Sequence, residues 1–433
     1  MAPYMDGATA GGEHAPYEKP PPSGIRVIVV GAGFAGLTAA IECTRKGHSC
    51  LVLESYKNAN VQLGDIISFG SNSGRIFNRW PGVPEKLLPI CHVSDCIKYK
   101  TWDGDDIYTQ YWGTEEENFG KRYNGHRGEI HKIIFDHAVE QGVEIRLGQQ
   151  VTEYFETDTE AGVISNGERI VGDVIFGADG VRSKARKLVL GYDDKPKPSG
   201  YAIYRAWMDS SELAKNDLTK DLVIHGDTHT GWLGPDIHFL AASIKGGKEF
   251  SWVFTHKDER DVDEGWAEPG NHEDACRILE GWDPAVHTIV RMTPPEKLVD
   301  WKLVYRDPLP TWVSPKARIA LIGDAAHPFL PTSIQGASQA MEDGVCLAVC
   351  LQLAGKEHVA DALRAYEKMR YERVRKTQKT GESTRDAWHK ADFENLKKNP
   401  EAIKLKREEW ILNHDAEAHA YEVWPQVLVE VRK

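Results

Sequence analysis

The stretch that most restricts what this chain can fold into lies near its start. Residues 25–30, IRVIVV, are nearly all β-branched, the pattern of a strand buried on both faces. Gly31-Ala32-Gly33-Phe34-Ala35-Gly36 follows at once, then the helical run LTAAIECTRKG, which stops at Gly47, and then SCLVLE at 49–54, a second buried strand. Strand, glycine-rich turn, helix and strand within about 30 residues make a βαβ unit. Gly31 permits the tight turn, Gly33 lets the backbone approach a diphosphate, and Gly36 lets helix and strand pack closely. The helix N-terminus offers unpaired N–H groups and a positive dipole end to that diphosphate. Glu54 closes the second strand 18 residues after Gly36, where an acid accepts hydrogen bonds from adenosine ribose hydroxyls. An acid there disfavours a 2′-phosphate, so the tightly held nucleotide is FAD or NAD; the fingerprint does not choose between them.

The rest of the chain divides by texture. EIHKIIFDHAVEQG (129–142) reads as a helix, VEIRLG, GVISN and RIVGDVIFGADG as strands, and VRSKARKLVL as the segment after a turn. From 199 to about 300, alternating runs such as YAIYRAWMD, DIHFLAASI and FSWVFTH predict a mostly antiparallel sheet. ARIALIGD (317–324) restores the buried-strand pattern and GASQAMEDGVCLAVCLQLAG (336–355) is a long apolar helix. This order fits a discontinuous nucleotide-binding domain, 25–198 and 301–360, interrupted by a substrate-binding sheet domain at 199–300. Residues 361–433 read as charged C-terminal helices with 16 Lys/Arg against 14 Asp/Glu, and the basic stretch 364–379 reads as a solvated face. Residues 1–24, rich in Gly and Pro and without an apolar core, read as a disordered tail and not a secretory signal.

Composition narrows the partners. With 53 Lys and Arg against 65 Asp and Glu, a net charge of −12 argues against nucleic acid or an anionic membrane surface. No apolar run reaches the roughly 18 residues of a membrane span. Seven dispersed cysteines suggest reduced thiols in a cytoplasmic protein, expected to be a monomer or weak homodimer acting on something small.

Two distant motifs select the nucleotide. GADGVRSKAR (177–186) and IGDAAHPFLPTSIQGASQAMEDG (322–344), together with the first fingerprint, resemble the three motifs of class A flavoprotein aromatic monooxygenases, the salicylate and para-hydroxybenzoate hydroxylase superfamily. The resemblance covers nearly all of the chain after residue 25. It implies an α/β fold, with a Rossmann-like FAD-binding domain of the glutathione-reductase type, an inserted, mainly antiparallel sheet domain and a helical tail. It also implies FAD as cofactor and NAD(P)H as co-substrate, with O₂ and a small aromatic substrate. In that family Asp324 would hold the ribityl chain, the turn around Pro328 and Pro331 would lie by the isoalloxazine, and the helix starting near Gly336 and Ala337 would point its N-terminus at the flavin pyrimidine. A helix N-terminus there suits the negative charge of reduced flavin. Asp179 and Gly180, with Arg186, match the motif linked to both FAD and NAD(P)H, and Arg127 matches the family arginine that contacts FAD.

Within the superfamily, QLGDIISFGSNSGRIFNRW (62–80), KPSGYAIYRAWMDSSEL (197–213) and ILNHDAEAHAYEV (411–423) are similar to fungal monooxygenases that oxidise indole alkaloids. Some of these form spiro-oxindoles by indole 2,3-epoxidation and semipinacol rearrangement; maackiain-type detoxifying hydroxylases are similar too. The resemblance implies a catalytic pair, Asp65 and Arg205, and oxygen transfer from a flavin C4a-hydroperoxide in a dry pocket. Alternation along YAIYRAW puts Arg205 on the face of Ile203 and Trp207, where a charge needs a partner or a purpose. The plainer readings are a salt bridge at the domain junction for Arg205 and a turn residue after Gly64 for Asp65. Trp207, Trp232, Phe239, Trp252 and Phe254 either line a pocket or form the sheet core. Phenol-hydroxylating relatives that dearomatise their substrates use a tyrosine at a position falling in 238–244, where this chain has none; hydroxylation of a phenolic or salicylate-like aromatic remains the alternative. A reading from another class is a non-haem iron oxygenase, with His225 and Asp227 joined by His229, His238 or His256. A flavin reductase or oxidase would want a different substrate lobe, and a nucleotide sensor has no use for the motifs around the ring.

Overall fold

The computed structural model describes residues 20–59, 65–258 and 268–433. The strand Arg26–Val30 is the middle of a five-stranded parallel sheet, ordered Ile319–Leu321, Val174–Gly177, Arg26–Val30, Ser49–Leu53 and Glu144–Arg146. Its apolar runs are continuous because both faces are covered, one by the motif helix Phe34–Arg45 and the long helix Gly336–Ala354, the other by a small antiparallel sheet of Val151–Glu156, Ala161–Ser165 and Glu168–Gly172. Those two helices cross at Gly344, where a Cβ would stand 2.6 Å from the backbone nitrogen of Ala39. A side chain there would push the crossing apart.

Residues expected to form one strand, RIVGDVIFGADG, form two. Glu168–Gly172 pairs antiparallel with Ala161–Ser165, and Val174–Gly177 lies parallel beside Arg26–Val30. Between them the Asp173 carboxylate accepts from the Arg26 N–H at 2.7 Å, fixing the change of direction.

The second large sheet has eight strands, ordered Glu268–Pro269, Val299–Tyr305, Lys197–Asp209, Glu249–Lys257, Ile237–Ile244, His229–Gly234, Cys96–Thr101 and Asp106–Tyr111. All its pairings are antiparallel except His229–Gly234 with Cys96–Thr101. The sheet therefore corrects the 199–300 boundary: the hairpin at 96–111 and the strand at 299–305 belong to it. The helices His272–Ile278 and Pro284–Met292 cover one face, over a core that includes Trp232, Phe239, Trp252 and Phe254. The aromatic strands are thus mainly core.

The tail expected to be disordered through residue 24 is docked from residue 20. Ser23 donates its N–H to the Gly47 carbonyl at 2.9 Å, and Lys356 reaches the Gly24 carbonyl at 2.8 Å. Residues 1–19 lie outside the described residues, as do 60–64, which include Gly64. At the other end, Val359–His389 and Ala416–Val431 are the main helices of the C-terminal region. Among the described residues no helix is long and apolar enough to cross a membrane, and all seven cysteines are unpaired.

Candidate active site

The glycine turn does what its spacing predicts. Gly31 has φ +105°, and a Cβ there would stand 2.3 Å from the Ala178 carbonyl oxygen; at Gly36 a Cβ would stand 2.0 Å from the Gly31 carbonyl oxygen. Gly33 differs: a Cβ would meet nothing within 4 Å. Its bare face opens on a cavity of about 460 Å³. Glu54 closes the motif from behind, accepting from the Ala32 N–H at 2.7 Å and from the Tyr56 N–H at 2.9 Å.

The two distant motifs meet at the same cavity. Gly180, Asp324, Pro331, Gly336 and Ala337 all line it, as does Arg127. Asp179 accepts from the Tyr154 hydroxyl at 2.9 Å and the Lys184 N–H at 3.0 Å, and its other carboxylate oxygen is buried without a partner among the described residues. Arg186 is a strut. Buried to 2% exposure, it donates to the carbonyls of Ala325 and Asp324 at 2.7 and 2.6 Å and to that of Val181, tying the second motif to the third. In the helix Gly336–Ala354 the Gln339 N–H closes onto Gln335, so the N–H groups of Gly336 and Ala337 have no intrahelical acceptor and point toward the cavity end.

That helix stands on a buried ionic network which the sequence reading missed. Glu342 and Asp343, both fully buried, meet Arg370, which donates to Asp343 at 2.9 Å and also contacts Glu342. Arg373 reaches Glu342 at 2.8 Å, His327 meets Asp343 at 2.6 Å, and Asn72 links Glu342 to Gln335 at 2.6 and 3.1 Å. Burial alone pushes the Glu342 carboxyl up, but Arg373 and Arg370 outweigh it and hold it far below the usual carboxylate range. The expected solvated face at 364–379 is corrected at these two arginines. Two acids inside an otherwise apolar helix were the available signal.

Asp65 and Arg205 come together at the cavity wall. Arg205, 5% exposed in its strand, pairs through Nη1 with Asp65 Oδ2, and Arg127 Nη1 stands 3.8 Å from the same oxygen. The Arg127 N–H also donates to the Asp65 carbonyl at 2.9 Å. The guanidinium lies 4.8 Å from the centre of the Trp301 ring. Burial lowers the Arg205 pKa, partly offset by Asp65. The salt-bridge reading and the catalytic reading thus describe one contact, with its arginine lining the cavity.

Register lays out the cavity floor. One cross-strand row reads Trp207, Ser251, Ala242, His229; the next reads Arg205, Val253, Leu240, Gly231; the third reads Trp301, Ile203, Thr255, His238. Ile203, Arg205 and Trp207 share a face, as alternation required. The candidate iron ligands do not converge. His225 is exposed beside Asp221 at 3.6 Å, Asp227 accepts from the Val93 and Gly246 N–H groups, each at 2.7 Å, and among the described residues no three His, Cys, Asp or Glu form a metal-binding group.

A glycine cradle open to a cavity, an unpartnered buried carboxylate oxygen and a free helix N-terminus fit a bound flavin dinucleotide. Comparison with known proteins agrees. The family described as FAD binding domain matches residues 124–380, and a second FAD binding domain family matches 26–65. The FAD-dependent monooxygenase okaB of Penicillium ochrochloron is 37% identical, over 92% of this chain and 90% of that protein. Asperlicin C monooxygenase of Petromyces alliaceus is 34% identical, over 97% and 93%. The crystal structure of CtdE in complex with FAD and a substrate superposes with a TM-score of 0.89 at 35% identity, covering 94% of this chain and 100% of that one. The chain therefore belongs to the FAD-dependent monooxygenases, flavoproteins that use FAD and NAD(P)H, and its relatives carry the names of fungal secondary metabolism.

Proposed function

We propose that this monooxygenase inserts one oxygen atom into the indole of an alkaloid by 2,3-epoxidation, with or without semipinacol rearrangement to a spiro-oxindole. The observation that carries the reading is the Asp65–Arg205 pair on the wall of the cavity onto which the cofactor cradle opens. The relative named for asperlicin C supports an alkaloid-sized substrate. Gly31, Gly33, Gly36 and Glu54 would hold the adenosine diphosphate half of FAD; Arg127, Asp179, Asp324, Pro331, Gly336 and Ala337 would hold the rest. When bound and reduced by NAD(P)H, FAD activates O₂ and supplies one electrophilic oxygen atom, the other leaving as water.

The chain's own residues do the remaining work. Arg205, fixed by Asp65 and Trp301, presents a guanidinium to oxygen as negative charge develops on it. Asp65, ion-paired with Arg205, orients that guanidinium toward the epoxide oxygen, which steers ring opening and the 1,2-shift. Val253, Leu240 and Ile203 keep the floor between the polar groups apolar, which excludes water from the reacting atoms. The phenolic reading lacks its tyrosine, since the side chains of 238–244 that face the cavity are His238, Leu240 and Ala242.

The test is a panel of indole alkaloids and simple phenols, scored by stimulated NAD(P)H oxidation and a product mass gain of one oxygen. Indoles should be oxygenated; turnover of phenols alone would overturn the substrate class. Asp65→Ala should keep FAD yet lose or redistribute product, and Arg205→Ala should divert reducing equivalents to hydrogen peroxide. Wild-type products and coupling in both variants would remove the pair from the mechanism.

A further inference from the structure

The third row of the cavity floor ends in a histidine pair that the oxygenation chemistry does not use. His238, 3% exposed, contributes one ring nitrogen to the cavity row beside Thr255, with Thr255 Oγ1 at 3.2 Å from its Nε2. Its Nδ1 lies 2.8 Å from Nε2 of His389, the last residue of the helix Val359–His389, which turns over the cavity at Trp388. The ring centres are 5.1 Å apart. The remaining nitrogen of His389, Nδ1, is buried without a partner among the described residues.

Two imidazoles joined by one hydrogen bond have a property that a lone histidine lacks. With both rings neutral, either ring can be the donor in the shared bond, and each choice fixes the tautomer of both rings. If His238 donates, its Nε2 is an acceptor toward the cavity; if His389 donates, the same Nε2 carries hydrogen and is a donor. Thr255, able to donate or accept, passes either polarity on. Neutrality follows from the surroundings: burial lowers the His238 pKa to about 3, with His389 adding to it, and burial lowers that of His389 to about 4. The station therefore suits a neutral amide-type N–H or C=O and offers no counter-charge to a carboxylate or ammonium.

Its distance from the oxidising end gives the ligand a size. Arg205 and His238 sit one row and two strands apart on the floor. At about 4.8 Å between strands and about 6.8 Å between alternate residues, their backbones are roughly 12 Å apart. Between them lie only Val253, Leu240, Ile203 and Thr255.

We propose that Thr255, His238 and His389 form a second recognition point that binds a neutral lactam or amide of the substrate, remote from the indole that is oxygenated. This rests on the indole reading above and adds a requirement to it: the substrate is a rigid polycycle with an amide-type group at its far end. His238 is a specificity-determining residue and His389 positions it.

The experiment uses the FAD-loaded enzyme with three probes: cyclo(L-Trp-L-Ala), its analogue with both lactam nitrogens methylated, and 3-methylindole, which has no amide. KM and kcat are read from NAD(P)H oxidation coupled to product mass. The wild type should prefer the unmethylated cyclic dipeptide by about ten-fold or more in kcat/KM, the effect of a lost buried hydrogen bond. His238→Phe and His389→Leu should each raise KM for that probe about ten-fold, leave kcat within about three-fold, and erase the preference. His389→Gln, which keeps a neutral donor and acceptor, should restore part of it; FAD content and melting temperature confirm that each variant is folded. Equal wild-type efficiency with 3-methylindole and the cyclic dipeptide, or a preference unchanged in both variants, overturns the second recognition point and leaves the oxygenation reading intact. If none of the three indoles stimulates NAD(P)H oxidation or is oxygenated, the indole reading falls and takes this proposal with it.

Discussion

Replacing Gly31 and Gly33 separately by alanine should split two functions that one motif combines. At Gly31 the backbone is at φ +105° and a Cβ would stand 2.3 Å from the Ala178 carbonyl oxygen, just past the ends of the paired strands Arg26–Val30 and Val174–Gly177. The unfavourable backbone costs about 1–2 kcal/mol and the overlap about 1–3, so Gly31→Ala should lose roughly 2–5 kcal/mol of stability with or without FAD. Gly33 caps the motif helix at φ −73° and ψ −177°, extended backbone open to any residue, and its Cβ would meet nothing within 4 Å. Gly33→Ala should therefore change apoprotein stability by no more than about 1 kcal/mol. What it fills is the space for the diphosphate: an intrusion of about 1–3 kcal/mol weakens FAD binding roughly 5- to 150-fold. Urea unfolding of flavin-free protein measures the first quantity and titration of FAD by fluorescence quenching the second. A tenfold weaker FAD should also shrink the stabilisation by saturating FAD by about 1.4 kcal/mol. If Gly33→Ala bound FAD like the wild type, the open face would not be the diphosphate cradle; an apoprotein destabilised as much as Gly31→Ala would show that the face is not open.

Two further outcomes concern the buried charges. Arg370→Ala leaves Glu342 with Arg373, Asn72 and His414 beside it and Asp343 with His327, and should cost about 3–5 kcal/mol by urea midpoint, with weaker FAD binding because the helix Gly336–Ala354 loses its footing; a shift under about 1 kcal/mol would refute the network's role. At the C-terminal helix, burial pushes the Glu417 carboxyl up, but Lys46, Arg45 and Arg79 together hold it down at about 2. A depressed carboxylate stabilises the fold above its unfolded pKa near 4.3 and loses that contribution as pH falls toward 2, so Glu417→Gln should flatten the acid limb of a stability profile between those values. An unchanged acid limb would place the acid sensitivity elsewhere.

What the sequence displayed was local. The glycine fingerprint and the Asp324-to-Gly336 turn are legible because each needs particular residue types within a few positions, whatever the rest of the chain does. The Asp65–Arg205 pair was reachable only through resemblance, since it joins residues 140 positions apart. His238 and His389, 151 apart, and Glu342 with Arg370, 28 apart on two helices, carry no periodic signal at all. The hairpin at 96–111 was legible and passed over. IKYKT and DIYTQY alternate on either side of Asp103-Gly104, a strong hairpin signal, but nothing local says that its outer edge will meet His229–Gly234 in parallel.

That parallel pairing bears on how such enzymes can be recombined. The eight-stranded sheet is stitched from three separate passes of the chain, 96–111, 197–257 and 299–305, with the short strand Glu268–Pro269 on its edge. A chimaera exchanging only 199–300 between relatives would carry strands whose outer neighbours come from the other parent on both sides, exposing mismatched edges where Cys96–Thr101 and Val299–Tyr305 should pair. The same stitching sets an order during synthesis. The first hairpin emerges more than a hundred residues before the strand it pairs with, so its edge can be paired only after that strand is made. A graft that respects all three passes is the smallest one that keeps every strand beside its own neighbours.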